Sequence, residues 1–101
     1  MPVGAPMQTR SVRWLALALG DLHAIAAYLS EKDLDAAREI AQCIWDAGQS
    51  LAVLSSRGRA GRVAGTRELV LTDFSYFIAY RVVESEVQIL RVLHTARRYP
   101  Q

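Results

Sequence analysis

Thr66-Arg67-Glu68-Leu69-Val70-Leu71, Tyr76-Phe77-Ile78-Ala79-Tyr80-Arg81-Val82-Val83 and Val87-Gln88-Ile89-Leu90-Arg91-Val92-Leu93-His94 follow one another in the last third of a 101-residue chain. Each run is dense in β-branched, aromatic and other apolar residues, the composition that suits a pleated, half-buried surface. Thr72-Asp73-Phe74-Ser75 and Glu84-Ser85-Glu86 separate them. Connections this short cannot carry a parallel crossover, so the three runs are expected to form an antiparallel meander. A sheet of this kind has to bury one face, and the preceding half of the chain must supply what covers it.

That half reads as two helices. Leu15, Leu19, Leu22, Ile25, Ala26 and Leu29 recur at spacings of three and four, which draws one apolar stripe along a helix of about four turns ending near Ser30. Asp33 then stands where an N-cap belongs, and Asp35 falls in a first turn, where a negative charge favours the helix dipole. Ala37, Ile40, Ala41, Ile44, Trp45, Gly48, Leu51 and Leu54 continue the second stripe. Ahead of both, residues 10–15 suit a short first strand, and residues 1–9, with Pro2, Gly4 and Pro6, suit a flexible terminus. The expectation is one α+β domain over residues 10–100, in the order β-α-α-β-β-β, with the helical hairpin packed on one face of the sheet and the other face open. Trp14 and Trp45 are expected in the core, and His23 at its edge.

Composition narrows the functional classes. With 51% hydrophobic residues the chain can bury a single core. No apolar run is long enough to span a bilayer and no signal peptide opens the sequence, so the protein is expected to act in the cytoplasm without a membrane partner. The single Cys43 can form no internal disulfide and offers no metal-binding pair; no metal or cofactor motif is present. Charge is uneven. Residues 1–56 hold four basic side chains against six acids, whereas residues 57–101 hold eight arginines against Glu68, Asp73, Glu84 and Glu86. Arginine's planar fork suits phosphate and carboxylate, so a polyanion or an acidic protein segment is the natural partner. The residues expected to meet it are Arg57, Arg59 and Arg62 in a glycine-rich loop over residues 55–65, Arg67 on the first of the three strands, and Arg97 and Arg98 after the last. Alternation puts His94 on the face of Leu90 and Val92, half-buried, and sets Arg81 near Glu84 or Glu86.

The helical hairpin, the Gly-Arg-rich loop, Gly65-Thr66-Arg67-Glu68-Leu69-Val70, Tyr80-Arg81-Val82 and the closing Val92-Leu93-His94-Thr95-Ala96-Arg97 together resemble the ParE/RelE superfamily of bacterial type II toxins. The resemblance implies a growth-arresting toxin neutralised by a cognate antitoxin, with a toxin dimer inside a larger complex as one arrangement. It leaves two targets. A RelE-like member cleaves messenger RNA in the ribosomal A site, a reaction needing an acid or base and cations around the phosphate; His94, Arg67 and Arg97 would serve, with Tyr99 stacking on a base. A ParE-like member inhibits DNA gyrase, and its final strand resembles the Val92–Arg97 segment. The RelE-like pattern wants cations where this chain has Leu69 and Phe77, which favours the ParE-like reading. A harmless arginine-rich interaction module is the remaining alternative.

Overall fold

A computed structural model describes residues 9–100. The expected flexible terminus lies, but for Thr9, outside the described residues. Two helices and five strands form in the order β1 (Ser11–Trp14), α1 (Ala16–Ser30), α2 (Leu34–Ser50), β2 (Arg59–Ala60), β3 (Arg67–Leu71), β4 (Tyr76–Val83) and β5 (Glu86–His94). The sheet runs β1-β5-β4-β3-β2, with β5, β4, β3 and β2 antiparallel as the short connections require. β1 is parallel to β5, Ser11 to Trp14 facing Glu86 to Ile89. The long connection that a parallel pair requires runs through both helices and then β2, β3 and β4.

α2 begins as the sequence indicates: the Asp33 carboxylate accepts the Ala36 N–H at 3.1 Å, and Asp35 lies in the first turn. It ends at Ser50, a turn earlier than its apolar periodicity suggests, and Leu51 closes it while dropping into the core. Ala18 and Ile44 from the helices meet Leu69, Ile78, Tyr80, Val87, Ile89 and Val92 from the sheet in one buried cluster. The tryptophans are not core residues in the expected sense. Trp14 and Trp45 stack at 4.8 Å and 12° at the margin, with Trp45 still 38% exposed. They sit there because Trp14 leaves β1 over Gly48, where a Cβ would clash with the indole; Nε1 then donates to Gln49 Oε1 at 2.8 Å.

The other face of the sheet, expected to be open, is covered over about half its extent. Phe77, Ala79 and Leu93 are buried in a second cluster, with Val70 and Tyr99 against it. Its cover comes from two places distant in sequence, the arginine loop and the C-terminal turn. β5 also carries an irregularity: Ala79 faces Arg91 and Tyr80 faces Ile89, so Leu90 has no partner and bulges. Beyond it β1 has ended, and Asp21 of α1 takes over the strand's outer edge. Its carboxylate accepts the Val92 N–H at 2.9 Å and both Nε and Nη2 of Arg91 at 2.8 and 3.0 Å. These hydrogen bonds raise the already high pKa of Arg91 against the opposing effect of burial.

Candidate functional site

The residues singled out for anion binding fall into three groups. The first is the loop between α2 and β3. Its start is fastened to the helix-facing side of the sheet by Tyr80, whose buried phenol donates to Ser55 O and accepts the Gly58 N–H, both at 2.8 Å. Gly58 has to be glycine, because a Cβ would stand 2.7 Å from that phenolic oxygen. Arg67, level with Tyr80 across β3 and β4, adds Nη1 donations to Gly58 O at 2.8 Å and Ser56 O at 3.3 Å. The Arg67 fork is therefore engaged with backbone carbonyls of its own chain. Arg57 is exposed and donates to Ser50 Oγ at 3.1 Å.

Burial raises the Tyr80 pKa, and the Gly58 N–H and the charges of Arg67 and Arg57 only partly offset it. A phenol held neutral in the fold stabilises it fully below the ordinary pKa of 10.0 and loses that contribution as pH rises through the raised value. Tyr80→Phe should remove this alkaline loss while costing about 1–3 kcal/mol at neutral pH, since Ser55 O and Gly58 N–H are left unpaired. Urea titration at neutral and alkaline pH measures both, and an unchanged midpoint would contradict the clasp.

The second group crosses the opposite face. Glu68 points there from β3 and is 1% exposed. Arg59 Nη2 approaches its Oε1 at 3.3 Å, Arg62 Nε at 3.5 Å, and the Arg62 backbone N–H donates to Oε2 at 3.0 Å. The Arg62 guanidinium also lies 5.0 Å above the Phe77 ring and reaches Tyr99 O at 3.4 Å. Tyr99 itself packs edge-to-face on Phe77 at 5.9 Å. Arg62 and Tyr99 thus close over the sheet instead of standing free. Nothing in the sequence pattern marked Glu68 as the anchor, although a carboxylate alternating with Val70 on one strand face is the signal that would find it.

The third group is His94 with Arg97. The strand carries His94 past the last buried row, so it is exposed rather than half-buried, and the bulge puts Leu90 out of step with it. His94 packs edge-on to Tyr76 at 5.4 Å, and its Nδ1 accepts the Ala96 N–H at 3.1 Å, which leaves the proton of a neutral ring on Nε2. His94, Arg97, Asp21 and Tyr76 line a cleft of about 160 Å³, and burial, then the nearby Tyr28, raises the Tyr76 pKa. A second cavity, of about 210 Å³, has Arg97, Arg98, Arg91, Leu93 and Tyr99 around it. A larger apolar groove of about 540 Å³ adjoins it, lined by Leu15, Ala16, Leu17, Leu90, Arg91 and Tyr99. His94 and Arg97 are therefore brought together, whereas Arg67 is on the helix-facing side of the sheet, remote in register from His94, and Tyr99 is turned onto Phe77.

Among the described residues no group of three His, Cys, Asp or Glu side chains is placed to hold a metal ion. No helix is long and apolar enough to cross a membrane.

Comparison with known proteins places this arrangement among toxins. Residues 12–99 match the family model for the ParE toxin of the parDE type II toxin–antitoxin system. The Sinorhizobium fredii protein Y4kP is 41% identical over 95 residues, covering 94% of this chain and 98% of its own. Toxin RelE2 of Caulobacter vibrioides is 40% identical over 86 residues, 85% of this chain and 96% of that one. A chain of the chromosomal ParDE system from P. aeruginosa superposes with a TM-score of 0.81 at 28% identity, covering 86% of this chain and 97% of its own. The RelBE2 toxin–antitoxin complex from Mycobacterium tuberculosis shares the fold, with a TM-score of 0.65 at 23% identity over 85% of this chain and 98% of the matched one.

Proposed function

The chain belongs to the ParE toxin family of type II toxin–antitoxin systems, and from that premise we propose that it arrests growth in the cytoplasm in the ParE manner, by inhibiting DNA gyrase through contact. The observation that supports this reading is the state of the two strand positions where an RNA-cleaving relative would hold cations. Leu69 and Phe77 are both buried core residues, one facing each side of the sheet. The side chains that would have to assist are engaged elsewhere, Arg67 by the Ser56 and Gly58 carbonyls and Tyr99 by Phe77. A phosphoryl transition state on this surface would lack the electrostatic stabilisation that is usually the largest catalytic contribution.

One observation favours the RelE-like reading instead: His94, Arg97 and Tyr76 share a cleft, which is an acid–base group beside a cation. The two readings separate on induction of the protein in growing cells. Gyrase-dependent DNA breaks and an SOS response, with messenger RNA intact, are the expected result, and His94→Ala should arrest growth as the parent does. Cleavage of messengers in the ribosomal A site, together with a loss of about 100-fold or more in His94→Ala, would overturn the proposal.

A toxin of this kind needs an antitoxin, and α1 supplies the surface we assign to it. From Ala16 to Ser30 it carries one Asp, Glu, Lys or Arg side chain, Asp21, already held by Arg91. Leu17 is 66% exposed, and Leu19 and Tyr28 are also exposed. A helix apolar on every side is ordinarily a buried one. Leu17 borders the 540 Å³ groove, and Arg97 and Arg98 flank the adjoining cavity, so an antitoxin segment with apolar anchors and an acidic end fits both. Leu17→Asp should leave the fold intact and weaken antitoxin binding by roughly 10- to 100-fold in calorimetric titration. Unchanged affinity would remove α1 from the interface.

A further inference from the structure

Arg13, Gln88 and Arg81 stand side by side on β1, β5 and β4 as successive register partners, all three on the sheet face away from the helices. This is the half of that face which the arginine loop and the C-terminal turn do not reach. Both arginines are exposed. At about 4.8 Å between strands their Cα atoms lie roughly 10 Å apart, with side chains projecting the same way. Glu86 shares this half-face, two residues from Gln88 on β5, but forms no ion pair with either arginine. Gln88 accepts from Arg81 Nε at 2.6 Å through its Oε1, and its amide nitrogen donates to Glu86 at 2.7 Å. The interstrand ion pair expected of Arg81 with Glu84 or Glu86 is thus replaced by a hydrogen bond to Gln88. Among the described residues the ion pairs are those of Glu68 and Asp21, and neither Arg13 nor Arg81 takes part. Residues 1–8, which precede β1, contain no Asp or Glu.

We propose that Arg13 and Arg81, set by Gln88, form a contact site for the phosphodiester backbone of a duplex nucleic acid. The surroundings favour phosphate over an acidic peptide. A peptide that folds as it docks has to offset its ordering with apolar burial. Of Ser11, Arg13, Glu86, Gln88, Arg81 and Val83 on this half-face, only Val83 is apolar, and the apolar groove at Leu17 and Leu90 lies at the β5 edge past the bulge. A duplex backbone is already ordered and binds cations by releasing counterions, which calls for charge on a flat rigid surface and no pocket. With no exposed aromatic side chain in the row to stack on a base, the site reads no sequence. It is separate from His94, it adjoins the groove assigned to the antitoxin at Leu15 and Leu90, and it does not depend on which target the toxin inhibits.

The test uses the purified full chain and fluorescein-labelled duplexes of about 20 base pairs, one DNA and one RNA, with anisotropy read between roughly 50 and 200 mM salt. The expected result is salt-sensitive binding to a duplex. The Arg13→Gln/Arg81→Gln double variant should bind about 10-fold or more weakly, with its log–log salt slope reduced by about 2. The two arms identify whether DNA or RNA supplies the backbone. Arg38→Gln, on exposed α2 surface across the molecule, serves as the control and should bind as the parent does. Equal binding by parent and double variant, no duplex binding by the parent, or capture of poly-glutamate in place of either duplex through the same two arginines would overturn the proposal. Growth arrest is scored separately: its absence would count against the toxin reading and leave the binding result standing.

Discussion

Arg59→Ala/Arg62→Ala is expected to destabilise the protein by about 3–5 kcal/mol, the range for removing the partners of a buried charge. Glu68 is 1% exposed and sets its carboxylate on the underside of a strand, facing Arg59, Arg62 and one backbone N–H. Removing both guanidiniums strands that carboxylate, and it also removes the cation lying on Phe77 and the tie to Tyr99 O. Because Arg59 is 60% exposed at its side chain, it accounts for the smaller part. Urea unfolding would register the loss, which for a domain of this size corresponds to a melting temperature lower by roughly 12–30 °C. A third substitution decides the cause. Adding Glu68→Leu to the double variant takes away the stranded charge and should recover much of the stability. If the triple variant is weaker still, the anchor is not electrostatic and the loop is held by packing on Phe77.

The second large effect is expected at Asp21. Asp21→Ala should cost about 2–4 kcal/mol, because one carboxylate serves three donors: Nε and Nη2 of Arg91 and the N–H of Val92. Two of these bonds carry full charge and good geometry, the class worth about twice a neutral hydrogen bond. The third satisfies a backbone donor on the outer edge of β5 that β1 does not reach, since β1 ends opposite Ile89. Asp21→Asn should be milder, as the amide oxygen accepts from one donor while its NH₂ opposes Arg91. Hydrogen exchange locates the effect: the Val92 amide should lose protection in both variants, with the β3–β4 ladder less affected. Unaltered protection at Val92 would mean that α1 shields this edge by packing alone.

Several parts of the fold were legible because they depend on local pattern. The Asp33 cap lies within one helical turn of the N–H it accepts, and strand runs separated by three or four residues can only turn back on themselves. The position of β1 was legible but its direction was not, since a parallel partner some seventy residues away leaves no mark on the four residues of the strand. Among the site residues, composition marked the right segments and left their engagements hidden. Arg67 and Tyr99 read as free because a strand pattern does not say which loop a guanidinium will reach or which ring will lie under a phenol. His94 read as half-buried because strict alternation carries no information about the bulge at Leu90.

Two helices, an antiparallel meander and an arginine-rich second half follow from local pattern, since helical period, strand composition and turn length are properties of neighbouring residues. Which arginines face outward depends on long-range packing. Glu68 becomes a buried anchor, and Arg59 and Arg62 become its partners, when β3 is covered by the loop that precedes it and the turn that ends the chain. Arg13 and Arg81 become neighbours only when β5 inserts between strands nearly seventy residues apart. Burial and pairing across such distances depend on which surfaces the fold brings together, and no local pattern encodes that.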